Sequence, residues 1–279
     1  MRQQPTLLSI AGSDPSGGAG VQRDLTVFHD LKFRPLSVIT ALTAQNEKSF
    51  FSLNPVSPEI LEDQLLAVET QKISGIKIGM LGTAAIVEKL VSWLKNWNGS
   101  TGSPCPDRSK MDTLSLSKGE IPIVLDTIFH STTGGILLDD EGIALLQESL
   151  MPLATVVTPN LSEASRLINH PVTNLKEMKK AGEMILWSMK RGAEEEKEQA
   201  VLIKGGHLDG APTDLLFDGK KFVTIKGKRL PGSLHGSGCL LSSALTANLA
   251  SGFSFEESAR RARRYLNRFF SCTPSSSGL

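Results

Sequence analysis

Short apolar runs alternate along the chain with longer stretches whose apolar residues recur at helical spacing, and glycine-rich or polar turns separate the two. Residues 7–11 form the first run, stopped by Gly12-Ser13-Asp14-Pro15-Ser16-Gly17-Gly18-Ala19-Gly20, after which Val21, Leu25, Phe28 and Leu31 share one helical face. The same order recurs. Strands are predicted over residues 37–44, 75–80, 121–125, 154–157 and 200–203, and helices over 58–70, 84–97, 139–151, from the turn at 158–163, and over 175–189. Residues 215–217 and 221–225 flank Asp218-Gly219, a hairpin signal, and a last helix starts near Phe255. Such alternation predicts one mostly parallel sheet covered by helices on both faces, with no repeat and no second domain.

With 40% hydrophobic and 21% charged residues and a net charge of +1, the composition is that of an ordinary globular enzyme or binding protein. It offers no nucleic-acid surface. The run Arg260-Arg261-Ala262-Arg263-Arg264 is read as a solvated helix face near a helix C-terminus, and residues 192–199 as a solvated connector. Three cysteines, Cys105, Cys239 and Cys272, cannot pair completely and lack metal-ligand spacing, which favours a reducing compartment. No stretch reads as a signal peptide or a membrane span, so the expected location is the cytoplasm. Residues 98–120 are rich in Gly, Ser, Pro and charge and read as a long disordered loop, as does the tail.

The chemistry concentrates where strands end. Leu234-His235-Gly236-Ser237-Gly238-Cys239 precedes an apolar run that reads as a buried helix. Its glycines can turn consecutive backbone N–H groups toward an anion, and a thiol at a helix N-terminus is expected to ionise easily. Neither a P-loop nor a dinucleotide fingerprint is spelled there. In an open parallel sheet, ligands sit beyond the carboxyl ends of the strands. The groups directly after strands are Gly12 to Gly20, Gln45-Asn46, Gly79-Met80, Asp126, Asn160 to Glu163, Lys204 to His207 and the glycine-cysteine turn. Together they supply an amide, carboxylates, an ammonium, an anion cradle and a thiol. That inventory suits phosphoryl transfer around Mg²⁺.

The same blocks carry a resemblance. Ala11 to Gly20 with Gln22 and Asp24, Val38-Ile39-Thr40-Ala41-Leu42 ending in Ala44-Gln45-Asn46, Lys77-Ile78-Gly79-Met80-Leu81, Thr158-Pro159-Asn160-Leu161-Ser162-Glu163-Ala164, Lys204-Gly205-Gly206-His207 and His235-Gly236-Ser237-Gly238-Cys239 resemble the hydroxymethylpyrimidine/phosphomethylpyrimidine kinases of thiamine biosynthesis, in the ribokinase superfamily. The resemblance runs in order over residues 7–268. It implies an α/β, ribokinase-like three-layer α/β/α fold with a mostly parallel central sheet. The kinase domain would span residues 7–270, with a flexible insertion over 98–120 and a disordered tail over 271–279. It further implies ATP- and Mg²⁺-dependent phosphorylation of 4-amino-5-hydroxymethyl-2-methylpyrimidine and of its monophosphate, in a homodimer.

Carried over residue by residue, the resemblance makes Gln45 the pyrimidine-binding amide and Gly12, Asp24 and Met80 its surroundings, although Met80 is also a core residue by type and Asp24 a helix-pairing one. Asn160 and Glu163 match an element that tunes Mg²⁺ through bound water; a helix N-terminal turn explains them equally. Lys204 matches a lysine near the ATP phosphates. Cys239 matches the position of the general base, with Gly236, Ser237 and Gly238 as the cradle for the transferred phosphoryl group. Departures are Leu234 and Ser237, where threonine is usual, Thr132 in place of a usual lysine, and a shorter C-terminal end. Two alternatives stay open: a pyridoxal or pyridoxine kinase, and a catalytically weak homologue that binds the pyrimidine.

Overall fold

Neighbouring residues on the inner strands face opposite ways, and both ways are buried. In β1 (Thr6–Ser13), Leu8 and Ile10 join a cluster with Leu61, Leu65, Ile86 and Leu90, whereas Leu7 packs with Phe28 and Ala247. The split repeats in β5 (Ile123–Leu125), β6 (Val156–Val157) and β7 (Ala200–Ile203), where Leu125, Val157, Val201 and Ile203 face the first cluster and Val124, Val156, Ala200 and Leu202 face a second one. A period of two with apolar residues on both faces requires a cover on each side of the sheet. Helices α2 (Pro58–Glu69), α3 (Ala84–Asn96), α4 (Asp140–Leu145), α5 (Leu161–Ile168) and α6 (Leu175–Arg191) cover one face; α1 (Gly20–Asp30), α7 (Ser237–Ala250) and α8 (Phe255–Ser271) cover the other. The three-layer α/β/α expectation holds. This computed structural model describes residues 4–46, 49–97, 120–131, 134–191, 193, 197–206, 208, 211–228 and 235–271. Of the expected loop over 98–120 only Glu120 falls among them, and Cys105, Thr132, His207, Leu234 and Cys272 fall outside.

Among the described residues the sheet has nine strands, completed by β2 (Arg34–Gln45), β3 (Phe50–Pro55), β4 (Ile73–Ile78), β8 (Thr213–Phe217) and β9 (Phe222–Lys226), in the order β3-β2-β1-β4-β5-β6-β7-β8-β9. Strands from β2 through β7 pair in parallel, and β3, β8 and β9 are antiparallel additions at the edges. The chain runs outward from β1 through β2 and β3, then returns to β4 on the other side of β1. That reversal puts the ligand crevice beyond the carboxyl ends of β1 and β4. The hairpin between β8 and β9 is as predicted, with Asp218 Oδ1 accepting from the N–H groups of Lys220 and Lys221 at 2.9 and 2.8 Å.

Six of the described helices begin with side-chain caps: Ser57 on α2, Thr83 on α3, Asp139 on α4, Asn160 on α5, Asn174 on α6 and Ser254 on α8. Four readings need correction. Strand β3 was not anticipated, because Phe50-Phe51-Ser52-Leu53-Asn54-Pro55 lacks clean alternation and Phe51 stays 70% exposed. The helix expected over 139–151 is regular only to Leu145 and passes through a π turn, Leu146–Leu150, and a 3₁₀ turn, Met151–Leu153, where Pro152 offers no N–H. Arg263 is not solvated: it lies in the middle of α8, with its Nη1 3.0 Å from Asp214 Oδ2 and its side chain only 9% exposed. Arg260, Arg261 and Arg264 do face outward, paired with Glu256 and Glu257. Ser271, placed in the tail, closes α8. No described helix is long and apolar enough to cross a membrane.

Beneath the crevice lies a fully buried charge pair. Lys77 Nζ on β4 donates to Asp24 Oδ2 on α1 at 2.8 Å, and both side chains are 0% exposed. The same carboxylate accepts from Ser9 Oγ of β1 at 2.6 Å and from Ser243 Oγ of α7 at 2.7 Å. Burial alone would depress the lysine's pKa, but the charges of Asp24, Cys239 and Asp126 more than reverse that, so the ammonium persists. Removing one partner leaves the other charge buried without compensation. Asp24→Ala is therefore expected to cost about 3–5 kcal/mol in urea unfolding, with Asp24→Asn/Lys77→Met recovering most of that loss.

Candidate active site

One cavity opens at the carboxyl ends of the parallel strands and reaches the first turn of α7. It is lined by Gly12, Ser13 and Asp14 after β1, Gln45 at the end of β2, Lys77 and Met80 at β4, Asp126 after β5, Asn160 and Glu163 after β6, Lys204 after β7, and His235, Gly236, Gly238 and Cys239 at α7. A Cβ at Gly12 would have to displace the end of the Met80 side chain. Met80 answers both of its sequence readings: it lines the cavity and packs with Ala41 and Leu137.

On one side of the cavity, a single ammonium stands between two carboxylates. Lys204 Nζ donates to Asp126 Oδ1 at 2.6 Å and lies 3.8 Å from Glu163 Oε2. It is no solvated lysine, since its side chain is 14% exposed. Asp126 also accepts from Thr158 Oγ1 at 3.0 Å and Ser242 Oγ at 3.1 Å. Burial would raise its pKa, but Lys204 and Lys77 overcome that and hold the carboxyl below the usual range. Glu163 behaves oppositely. Burial pushes its carboxyl up to about 7, the charge of Asp126 acts in the same direction, and Lys204 only partly offsets them. Glu163 and Asn160 form a reciprocal cap at the start of α5, Asn160 N–H donating to Glu163 Oε2 at 2.7 Å and Glu163 N–H to Asn160 Oδ1 at 2.9 Å. The N-terminal-turn explanation is thus satisfied while both residues still border the cavity. Among the described residues no three His, Cys, Asp or Glu side chains converge as a metal cage. Asp126 and Glu163 are carboxylates of the kind that could hold Mg²⁺, a cation that takes one or two carboxylates and completes its shell with water and phosphates.

On the other side, α7 begins without a side-chain cap. Gly236 occupies the N-cap position at φ 77°, in the left-handed region, and a Cβ there would collide with Gly18 O. No side-chain cap occupies the first-turn N–H groups, and a helix terminus in that state suits an anion. The thiol departs from expectation. Cys239 is 7% exposed, and burial pushes its pKa up to about 11, against the opposing pull of Lys77 and a hydrogen bond from the Gly20 N–H. Desolvation outweighs the helix terminus. Two other assignments shift. Asp24 does not line the cavity and serves beneath it, as the partner of Lys77, rather than as a contact for substrate. Ser237 likewise is absent from the lining, so it can contribute its backbone to the cradle but places no side chain there.

Some cavity residues had been seen only as parts of motifs. Asp126 is the hub of the lysine-carboxylate cluster, and its position directly after a strand was the available signal. Lys77, a lone charge between Ile76 and Ile78, was legible as an anomaly in a buried strand. Asp14, His130, Ser131 and His235 also line the cavity, and nothing in residue type alone marked them.

Comparison with known proteins agrees with this geometry. The family model described as phosphomethylpyrimidine kinase matches residues 14–101 and 110–277. The chain is 37% identical over 264 residues to a hydroxymethylpyrimidine/phosphomethylpyrimidine kinase of Rhizobium meliloti, covering 93% of this chain and 88% of that protein. Its fold superposes on the crystal structure of a phosphomethylpyrimidine kinase from Clostridium difficile with a TM-score of 0.75 and 33% identity, over 95% of this chain and 99% of the other. It also superposes on a pyridoxal kinase of Staphylococcus aureus in complex with pyridoxal, with a TM-score of 0.80 and 28% identity over 97% and 89% of the two chains. Sequence, topology and the contents of the crevice converge, and this chain belongs to the phosphomethylpyrimidine kinase family.

Proposed function

We propose that the chain transfers the γ-phosphoryl group of ATP to the hydroxyl of 4-amino-5-hydroxymethyl-2-methylpyrimidine, and a second phosphoryl group to the resulting monophosphate, in thiamine biosynthesis. The observation that carries this reading is the reach of one cavity from Gln45 to the uncapped first turn of α7, with Cys239 at its end. An amide donates and accepts at once, which suits an aminopyrimidine edge. Gly12 and Met80 shape the wall around the ring.

In this reading Cys239 Sγ takes the proton of the attacking hydroxyl. The hydroxymethyl oxygen forms its bond to the γ-phosphorus as the bond to ADP breaks. A thiol pushed up to about 11 yields a strong base once ionised, and Lys77 and the Gly20 N–H lower the cost of that ionisation. The N–H groups that follow Gly236 hold the charge on the transferring oxygens, and Lys204 adds a fixed cation. Asp126, and Glu163 with Asn160 through water, are the residues that would hold Mg²⁺, whose contribution is to neutralise phosphate charge. Leu42, Phe51 and Ile136 expose apolar side chains on or near the β2–β3 extension, a surface that suits the second copy of a homodimer.

ATP consumption measured with the pyrimidine alcohol, its monophosphate and pyridoxal in parallel tests the assignment. Turnover on the pyrimidines and little on pyridoxal is expected; turnover on pyridoxal alone would move the chain to the alternative suggested by the Staphylococcus aureus neighbour. Cys239→Ala should lower kcat on the alcohol by about 10²- to 10⁴-fold. An alanine variant of full activity would strip Cys239 of its role and leave the kinase assignment standing.

The pH profile is a separate check. Glu163, raised to about 7, is protonated below that value and is a cation ligand only above it. Activity should therefore fall as pH drops through about 7, and more Mg²⁺ should partly restore it. Glu163→Gln should flatten this acid limb and raise the Mg²⁺ concentration needed for half-maximal rate.

A further inference from the structure

Two segments from opposite ends of the chain meet along one seam at the cavity. Asp14 Oδ2 lies 2.8 Å from His235 Nε2, across 221 residues of sequence. The Asp14 side chain is 1% exposed, and besides the histidine it accepts from the N–H of Ser16 at 3.0 Å, the hydroxyl of Ser16 at 2.8 Å and the N–H of Ala19 at 2.8 Å. One carboxylate thus shapes the turn after β1 and fastens it to the residue just before Gly236.

The seam then passes through two further close approaches. Gly18 O abuts Gly236, so tightly that a Cβ on Gly236 would collide with it. Beyond that, the Gly20 N–H lies beside Cys239 and pulls the thiol's pKa down. Among the described residues, neither Asp14 nor His235 is hydrogen-bonded to the sulfur. Both fix the register in which the turn meets it.

We infer that Asp14 and His235 form a positioning pair for phosphoryl transfer, clamping the glycine-rich turn onto the first turn of α7 so that the cradle and the Cys239 thiol keep their relative places. This rests on the kinase reading above. The carboxylate suits a permanent clamp: burial would raise its pKa, but His235 and the turn's own donors hold it down at about 2, so it stays charged through the working range. Misplacing reacting groups by an ångström costs rate more than binding.

The test uses the full chain with Asp14→Ala, His235→Ala, the double variant, Asp14→Asn and His235→Gln. Steady-state kinetics with ATP and the pyrimidine alcohol are read beside the rate at which iodoacetamide alkylates Cys239, on a Cys105→Ser/Cys272→Ser background. Each alanine variant should lose about tenfold or more in kcat while KM for the alcohol moves less than about threefold. The double variant should be no worse than the poorer single, because the two residues act as one unit. Cys239 should be alkylated at least about threefold faster once the clamp opens, and His235→Gln, which keeps a donor, should stay nearer the wild type than His235→Ala. Wild-type kcat and unchanged alkylation in folded Asp14→Ala and His235→Ala would overturn the inference. Should circular dichroism show an alanine variant unfolded, Asp14→Asn and His235→Gln carry the same comparison. Should the unsubstituted chain phosphorylate neither pyrimidine, the kinase reading fails and the alkylation rates alone decide the clamp.

Discussion

The carboxylate of Asp24 is where the fold is tied together. From α1 it accepts hydrogen bonds from Ser9 on β1, Lys77 on β4 and Ser243 on α7, so two helices and the two strands flanking the topological reversal meet at one buried charge. A buried ion pair is tolerable only when the remaining lone pairs and protons are satisfied, and the two serine hydroxyls meet that condition for Asp24. Ser243 lies one helical turn beyond Cys239 on α7. Fixing one therefore fixes the depth at which the other enters the cavity.

Charge in the crevice is arranged to want both signs of a ligand. Asp126 and Glu163 crowd one lysine, and the rise of the Glu163 carboxyl to about 7 measures how poorly a second buried negative charge is accommodated by the protein alone. An incoming cation relieves that crowding. Across the cavity, the N-terminal donors of α7 have no side-chain cap among the described residues and suit an anion. On the proposed reading, a cation bound to a polyphosphate would meet both needs at once, which would join the carboxylates and the glycine turn in one chemistry although different strands deliver them.

Much of this was legible in sequence because it depends on short-range pattern. Alternation of apolar runs with helical spacing determines the layers, and the strand-end rule by itself gathers Gln45, Asp126, Glu163, Lys204 and Cys239. What escaped depends on tertiary surroundings. Asp24 belongs to the blocks that carry the resemblance, yet only the buried position of Lys77 shows that it faces away from the cavity. Arg263 is one of four arginines in five residues, and nothing local separates it from its solvated neighbours; Asp214, far along the chain, does so. Cys239 shows the limit most clearly. A helix N-terminus argues for an acidic thiol, and burial, invisible in the local sequence, wins by pushing it up to about 11.

The helix that carries Cys239 explains how such a terminus can be left open. Helices α2, α3, α4 and α5 start on side-chain caps, while α7 starts on a left-handed glycine with none. A capping oxygen would occupy the donors that an anion needs. Losing a cap costs about 1 kcal/mol, and α7 offsets it by tertiary packing rather than locally. Its residues from Cys239 to Ala247 are all buried, between the sheet on one side and α1 and α8 on the other. A helix buried all round is held by its surroundings and can leave its first turn unsatisfied. The same burial that stabilises the helix also raises the thiol it presents, so the open cradle and the reluctant acid at Cys239 are two results of one packing arrangement.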